Sequence, residues 1–167
     1  MTGSKESPPG YQAWDEQLAG GIIAAHAGRE GAALPILHAL QHTFGCVPRQ
    51  AEALLADALN VSRAEIRGVV SFYHEFRSEK PGRHVLRLCR AEACQAMGAV
   101  SLADGLLARL GLDWGETTED GALTVEAVYC LGLCACAPAA LLDGEPLGRL
   151  DAATLDALAD SARETRQ

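Results

Sequence analysis

Residues 86–94 read Leu-Arg-Leu-Cys-Arg-Ala-Glu-Ala-Cys, and this stretch joins the end of a strand pattern to a pair of cysteines. Four residues separate Cys89 from Cys94, and three separate a second pair, Cys130 and Cys134. Thirty-five residues (95–129) lie between the two pairs. Because each pair is closely spaced, both of its sulfurs can face one metal centre. The pattern therefore predicts a four-thiolate site built by two loops of one fold.

Three kinds of cysteine site suit this spacing. Four thiolates in two pairs hold iron–sulfur clusters. Structural zinc also takes paired cysteines, most often with two residues between them, so a spacing of four and then three is less usual for zinc. Buried or redox-active thiols are the third interpretation. Disulfides need an oxidising compartment, and residues 1–10 are polar and lack the apolar segment of a signal peptide. We therefore expect reduced thiols in a cytoplasmic protein.

Composition narrows the class of protein further. The chain has 167 residues and is 49% hydrophobic, with aromatic residues at only 5%. This length allows one domain or two small ones, with a core made mainly of aliphatic residues and alanine. Its 14 basic and 22 acidic residues give a net charge of -8. Because phosphate binding needs clustered cations, nucleic acid is an unsuitable partner. No apolar run reaches the length of a membrane helix, so no direct membrane insertion is expected.

The pattern of apolar and polar residues divides the chain into two predicted domains near residue 78. Residues 1–12 are predicted to be a flexible tail, since they contain Pro8-Pro9-Gly10 and few apolar side chains. Residues 13–78 carry helical periodicity and are predicted to form a small helical bundle. We expect Gly45 to end the second helix, Asn60 to end the third and a Ser62/Glu65 capping box to open the fourth. The four helices are expected over 13–26, 34–44 and 48–60 and from Ser62 through Val69.

Residues 79–167 are predicted to form a second domain of mixed structure. Strands are expected at 84–89 and 123–129, with a helix over 96–110 between them. Asp143-Gly144 predicts a hairpin between strands at 139–142 and 146–150, and Asp151 is expected to cap a final helix. The fold class is therefore α+β, thioredoxin-like in outline, with both cysteine pairs just after strand ends at one end of the sheet.

Five stretches resemble a known family. They are residues 33–41 (Ala-Leu-Pro-Ile-Leu-His-Ala-Leu-Gln), 68–73 (Gly-Val-Val-Ser-Phe-Tyr), 89–94, 130–134 and the following Ala137-Pro138. The family is that of the small thioredoxin-like [2Fe–2S] subunits of NADH dehydrogenase (respiratory complex I). It includes subunits of NAD-dependent formate dehydrogenases and NAD-reducing hydrogenases. The resemblance extends from about residue 15 to 160, and stretches 86–95, 114–118 and 138–144 are most similar to the gamma subunit of soluble formate dehydrogenases.

This resemblance implies an electron carrier rather than a complete enzyme. Cys89, Cys94, Cys130 and Cys134 would be the thiolate ligands of one [2Fe–2S] cluster, and no residue of this chain would be catalytic. The family implies a larger partner subunit that binds FMN and NAD, and, in formate dehydrogenases, a further subunit with a molybdenum cofactor. The chain has no glycine-rich phosphate-binding loop, in agreement with nucleotide binding elsewhere. The alternatives are the equivalent subunit of complex I or of a hydrogenase, and, more remotely, a zinc-stabilised or thiol-redox interaction module.

Several residues near the predicted ligands have two interpretations. Backbone N–H groups of loops 90–94 and 131–135 are expected to point at the sulfurs. Arg90 either raises the reduction potential of the cluster or is a solvated surface arginine, and Glu92 is expected to be solvated. Cys136 is either a spare thiol or a small buried residue. Cys46 is expected to be a structural thiol.

The helical half of the chain contains one pair of histidines that could bind a second metal ion. His38 and His42 are spaced to share one helix face, where two imidazoles can bind zinc. The glutamate that follows the first histidine in a zinc-protease helix is absent here, so zinc binding by this pair is not expected.

Overall fold

The structure, a computed structural model, describes residues 10–164. The chain forms two compact units, the first ending at Lys80 and the second beginning at Pro81. The sequence places this division between residues 78 and 79. The fold class is confirmed, because the molecule combines helices with one four-stranded mixed sheet.

The N-terminal segment of the first unit is held against the second helix of that unit. Gln12 N–H donates to the Thr43 carbonyl (3.0 Å), and Lys80 Nζ donates to the Gln12 carbonyl (2.7 Å). Tyr11 packs its ring over Gly45, where an added Cβ would lie 2.7 Å from ring atoms. Tyr11 and Gln12, which the sequence assigns to the predicted flexible tail of residues 1–12, thus contact the first unit, and residues 1–9 of that tail lie outside the described part of the chain.

The first unit contains four helices, α1 (Glu16–His26), α2 (Ala33–Phe44), α3 (Arg49–Leu59) and α4 (Arg63–Phe72). The first helix begins later than predicted, because the Asp15 side chain accepts from Leu18 N–H and so caps its N-terminus. Gly45 and Asn60 end α2 and α3 in the left-handed conformation, as expected. One face of each helix is apolar, and together these faces bury a core that includes Ile23, Ile36, Leu37, Leu40, Phe44, Leu55 and Ile66.

The predicted capping box of α4 is confirmed. Ser62 Oγ accepts from Glu65 N–H (3.2 Å), and a Glu65 carboxylate oxygen accepts from Ser62 N–H (2.8 Å). Both bonds satisfy N–H groups that the first turn of a helix leaves without intrahelical partners. The Ser62 backbone donor and the Ser62 hydroxyl also stabilise the carboxylate, and they lower the pKa of Glu65.

We expect Ser62→Ala to lower the free energy of unfolding by about 1 kcal/mol, because the N-cap acceptor is lost. The measurement is equilibrium urea unfolding followed by circular dichroism. Ser71→Ala is the matched control, since Ser71 lies in the last turn of the same helix and bonds only to the Gly68 carbonyl. A larger loss for Ser71→Ala than for Ser62→Ala would contradict the capping argument.

The second unit is built on a four-stranded sheet. Its strands are β1 (His84–Cys89), β2 (Leu123–Val128), β3 (Ala139–Leu142) and β4 (Glu145–Gly148), arranged in the order β2-β1-β3-β4. Strands β1 and β2 are parallel, and β3 is antiparallel to both β1 and β4. The hairpin predicted at Asp143-Gly144 is confirmed. Strand β4 begins and ends earlier than predicted, and β2 stops one residue short of Tyr129.

Helices α5 (Glu92–Ala96), α6 (Ala99–Leu110) and α7 (Ala152–Glu164) complete the second unit. The single helix predicted over 96–110 is wrong at its start, because Gly98 adopts a left-handed conformation (φ 89°) and separates α5 from α6. Asp151 caps α7 as expected, accepting from Thr154 N–H at 2.7 Å. Helices α6 and α7 pack with the sheet around a core that includes Leu86, Leu106, Leu123, Val125 and Leu155.

Within residues 10–164, no helix combines the length and the hydropathy needed to cross a membrane.

Candidate metal centre

The sheet brings the two cysteine pairs to the same edge. Cys89 is the last residue of β1, and it lies opposite Val128, the last residue of β2. Because parallel strands end at the same edge of a sheet, the segment that follows β2 brings Cys130 close to Cys89. Cys94 lies in α5, and Cys134 begins a 3₁₀ turn, Cys134–Cys136. Cys89 therefore ends β1 and Cys130 follows β2, close to the predicted placement just after strand ends, while the second cysteine of each pair lies in a short helical turn.

The four thiols form two hydrogen-bonded pairs. The Cys94 thiol donates to Cys89, and the Cys134 thiol donates to Cys130. The pairs also meet each other, because the Cys89 sulfur accepts from the backbone N–H groups of Cys130 and Leu131. The structure thus brings together all four cysteines that the sequence selects.

The two pairs differ in their contact with solvent. Cys89 and Cys94 are buried, with exposed fractions of 4% and 2%. Cys130 and Cys134 are exposed. The buried pair packs with Ala99 and Ala139 in a small apolar cluster, with Leu131 and Leu133 against it. The Cys89/Cys94 side of the thiol set is therefore shielded from water, and the Cys130/Cys134 side faces water.

Hydrogen bonds favour the thiolate form of Cys89. Burial opposes ionisation of Cys89, but donors from the Ala91, Cys130 and Leu131 backbone and from the Cys94 thiol outweigh burial and lower its pKa. Burial, followed by the hydrogen bond to Cys89, raises the pKa of Cys94. The hydrogen bond to Cys130 and the charge of that sulfur raise the pKa of Cys134. A thiol that binds a metal ion is deprotonated outright, because the cation stabilises the thiolate.

The four cysteines are grouped as two pairs. Among residues 10–164, no group of three or more Cys, His, Asp or Glu side chains stands close enough to hold a metal ion. A [2Fe–2S] cluster has two protein ligands on each of its two irons. The hydrogen-bonded pairs Cys89/Cys94 and Cys130/Cys134 supply two sulfurs each. The donor set therefore fits a two-iron cluster.

Backbone N–H groups point at the sulfurs, and such donors tune the potential of an iron–sulfur cluster. Ala91 and Leu131, which donate to Cys89, lie in the two loops that the sequence indicates. Cys130 and Ala139 donate as well, to Cys89 and Cys94 respectively, and they lie outside those loops. The loops supply only some of the donors, and β3 supplies another.

Arg90 is neither a free solvated arginine nor a ligand. Its guanidinium lies 5.0 Å from the centre of the Trp114 ring, in the geometry of a cation–π contact. Its backbone N–H donates to the Val128 carbonyl (2.8 Å). Trp114 is a residue that pattern analysis missed, because no spacing rule connects it with Arg90. Glu92 is exposed in the first turn of α5, as expected.

Three further residues are candidates from the sequence: Cys46, His38 and Cys136. Cys46 is buried in the first unit, where burial raises its pKa, and it behaves as the expected structural thiol. His38 is exposed; its Nε2 lies 3.3 Å from a Glu75 carboxylate oxygen, and its ring centre lies 5.0 Å from that of Phe76. Cys136 is half-buried at the end of the 3₁₀ turn.

Two pairs of thiols at one edge of a sheet are a donor set that can hold an iron–sulfur cluster or zinc. Comparison with known families agrees, because residues 19–163 match the family described as thioredoxin-like [2Fe–2S] ferredoxin. The chain belongs to this family.

Relatives and solved structures support the same conclusion. The chain is 38% identical over 140 residues to an NADH-quinone oxidoreductase subunit of Rhizobium meliloti (strain 1021), in a match that covers 84% of this chain and 83% of the relative. It is 31% identical over 122 residues to the NADP-reducing hydrogenase subunit HndA of Solidesulfovibrio fructosivorans, covering 73% and 71%. A crystal structure of NAD⁺-reducing [NiFe]-hydrogenase in the H₂-reduced state superposes with a TM-score of 0.65 at 32% identity. That match covers 89% of this chain but only 23% of the hydrogenase chain.

Proposed function

We propose that this chain is an electron-transfer subunit that carries one [2Fe–2S] cluster on Cys89, Cys94, Cys130 and Cys134. The observation that carries the proposal is the meeting of two hydrogen-bonded thiol pairs at one edge of the sheet. Such a cluster takes up and releases one electron at a time. The chain's own residues hold it, shield one side from water and direct backbone N–H groups at its sulfur ligands.

The partner in this proposal is a larger subunit that binds FMN and NAD. Two relatives, each matched over more than two thirds of its own length, are subunits of an NADH-quinone oxidoreductase and of a hydrogenase. We therefore favour an NAD-linked oxidoreductase of the complex I or hydrogenase type, which was the alternative interpretation of the sequence. The formate dehydrogenase interpretation, with its molybdenum subunit, is a narrower hypothesis that rests on residues 86–95, 114–118 and 138–144. The cytoplasmic location remains a prediction from the sequence.

The test of the cluster is low-temperature EPR on anaerobically purified protein reduced with dithionite, with iron and acid-labile sulfide assayed on the same sample. A rhombic S = 1/2 signal with about two irons and two sulfides per chain is the expected result. Zinc without iron, in protein kept anaerobic throughout, would overturn the proposal and leave an interaction module.

The type of complex needs a separate experiment. A tagged chain expressed in its native cells should be purified with its partners, and the assembly assayed for flavin, nickel and molybdenum. Flavin with nickel would identify a [NiFe]-hydrogenase, and flavin with molybdenum would support the formate dehydrogenase hypothesis. Flavin without either metal and without hydrogenase activity would favour the complex I type. Absence of a flavoprotein from the assembly would contradict the proposed partner.

We expect Arg90→Gln to lower the reduction potential of the cluster. Reduction adds negative charge, and the Arg90 guanidinium, fixed over Trp114 next to a ligand, stabilises that charge. Charges roughly 10 Å apart at an effective dielectric constant of about 20 interact by about 1–2 kcal/mol, which corresponds to about 40–90 mV for one electron. The measurement is an EPR-monitored redox titration.

Arg109→Gln is the control for this effect. Arg109 belongs to the same unit, but its guanidinium pairs with Asp156 and Asp160 on α7. Its removal should leave the potential unchanged. Equal shifts in the two variants would show that the potential follows net charge and not the placement of Arg90.

A further inference from the structure

The end of strand β4 lies in very close contact with the 3₁₀ turn that begins at Cys134. A Cβ atom added to Gly148 would lie 2.7 Å from Cys136 Cβ and 2.9 Å from the Cys136 carbonyl oxygen. Real Cβ atoms essentially never approach other heavy atoms within 3.0 Å. The φ angle of Gly148 is not in the left-handed region, so the requirement for glycine is steric. Any larger residue must push the turn and β4 apart.

Hydrogen bonds keep the two segments from separating. Arg149 N–H, directly after Gly148, donates to the Cys136 carbonyl at 2.6 Å. Leu150 N–H donates to the Pro138 carbonyl at 3.1 Å. The chain that leaves β4 is therefore bonded to the end of the 3₁₀ turn and to the segment that leads into β3. A displacement of Cys136 would strain both bonds.

The turn itself is short and internally bonded. Cys136 N–H donates to the Leu133 carbonyl at 2.9 Å, and Ala137 N–H donates to the Cys134 carbonyl at 3.4 Å. Because Cys134 and Cys136 belong to the same turn, a push on Cys136 is transmitted to Cys134 within a few bonds. Cys134 is also one of the exposed thiols, so little packing resists its movement.

We propose that Gly148 is a positioning residue for the ligand Cys134, and that Cys136 acts as a spacer whose Cβ rests on β4. This inference rests on the proposed function, in which Cys134 holds iron. It assigns Cys136 a role that does not use its sulfur. Any side chain with a single unbranched Cβ should serve at that position, whereas Gly148 tolerates no side chain at all.

The test compares two glycine substitutions in the same unit. Gly148→Ala should release iron to a ferrous chelator at least tenfold faster than the wild type and should show altered g values in EPR. Gly105→Ala is the matched control, because Gly105 lies in α6 and a Cβ there meets nothing within 4 Å. It should match the wild type in both measurements. Wild-type release rates and g values in Gly148→Ala would overturn the inference.

Variants of Cys136 keep the inference testable if Gly148→Ala fails to fold. Cys136→Ala retains the Cβ that contacts β4 and should leave the iron content, g values and release rate unchanged. Cys136→Gly removes that Cβ and should release iron faster than Cys136→Ala. Equal release rates in these two variants, or loss of iron in Cys136→Ala, would contradict the spacer role.

A double variant provides a rescue that a general loss of stability would not show. In Gly148→Ala/Cys136→Gly, one of the two atoms that clash with the added methyl group is gone, so part of the wild-type iron retention should return. A double variant that releases iron faster than Gly148→Ala would count against the steric mechanism. A wild-type chain without any [2Fe–2S] signal would instead refute the proposed function, so the two failures are distinguishable.

Discussion

Replacing Cys89 with serine is expected to reduce the iron content from about two atoms per chain to a small fraction of that value. Cys89 is the buried sulfur on which the other groups converge, since it accepts from Cys94, Ala91, Cys130 and Leu131. A serine hydroxyl is a harder and far less acidic ligand than a thiol, and thiolates are the ligands that these clusters use. Iron and sulfide assays, with EPR of the reduced protein, measure the result.

Cys46→Ala is the control for Cys89→Ser. Cys46 is also a buried thiol, with 6% of its surface exposed, but it belongs to the first unit. Its replacement removes one sulfur from the chain and should leave iron, sulfide and the EPR spectrum at wild-type values. Full iron content in Cys89→Ser would refute the proposed ligand set. Loss of iron in Cys46→Ala would show that the assay reports general instability.

Phe44→Ala is expected to lower the free energy of unfolding by about 3–5 kcal/mol, because it leaves a large cavity in the first unit. The side chain has no exposed surface, and its ring lies 5.2 Å from that of Trp14. A loss of this size is a large fraction of the stability of a small domain. Urea unfolding followed by circular dichroism measures it.

Phe72 offers a matched comparison in the same unit. Its side chain is 74% exposed, so the same substitution leaves no cavity. Phe72→Ala should change the free energy of unfolding by no more than about 0.5 kcal/mol. If both variants lost stability equally, the core assigned to the first unit would be incorrect.

Local rules explain why some features could be predicted from the sequence. Ser62 and Glu65 are three residues apart, and their side chains satisfy the first turn of α4 without help from the rest of the molecule. Asn60 ends α3 for a similarly local reason, since asparagine tolerates the left-handed conformation. Asp143-Gly144 is a two-residue turn whose preferred conformation fits a hairpin.

Tertiary contacts explain what the sequence did not show. Tyr11 is ordered by packing over Gly45, a residue that is distant in the sequence. Gly98 divides a helix that apolar periodicity alone would continue through it. The contact between Gly148 and Cys136 arises only when β4 is paired with β3. The cysteine spacing indicated a cluster, but it could not show which thiols would be buried.

The unequal burial of the two thiol pairs means that the two irons of the proposed cluster would differ electronically. Charge is better stabilised beside water than inside an apolar cluster. Cys89 and Cys94 would hold the buried side of the cluster, and Cys130 and Cys134 would hold the side that faces solvent. A partner that exchanges electrons with the cluster would therefore come nearest to it on the side of Cys130 and Cys134. The positions of the two cysteine loops would thus make one side of the cluster more accessible to an electron-transfer partner than the other.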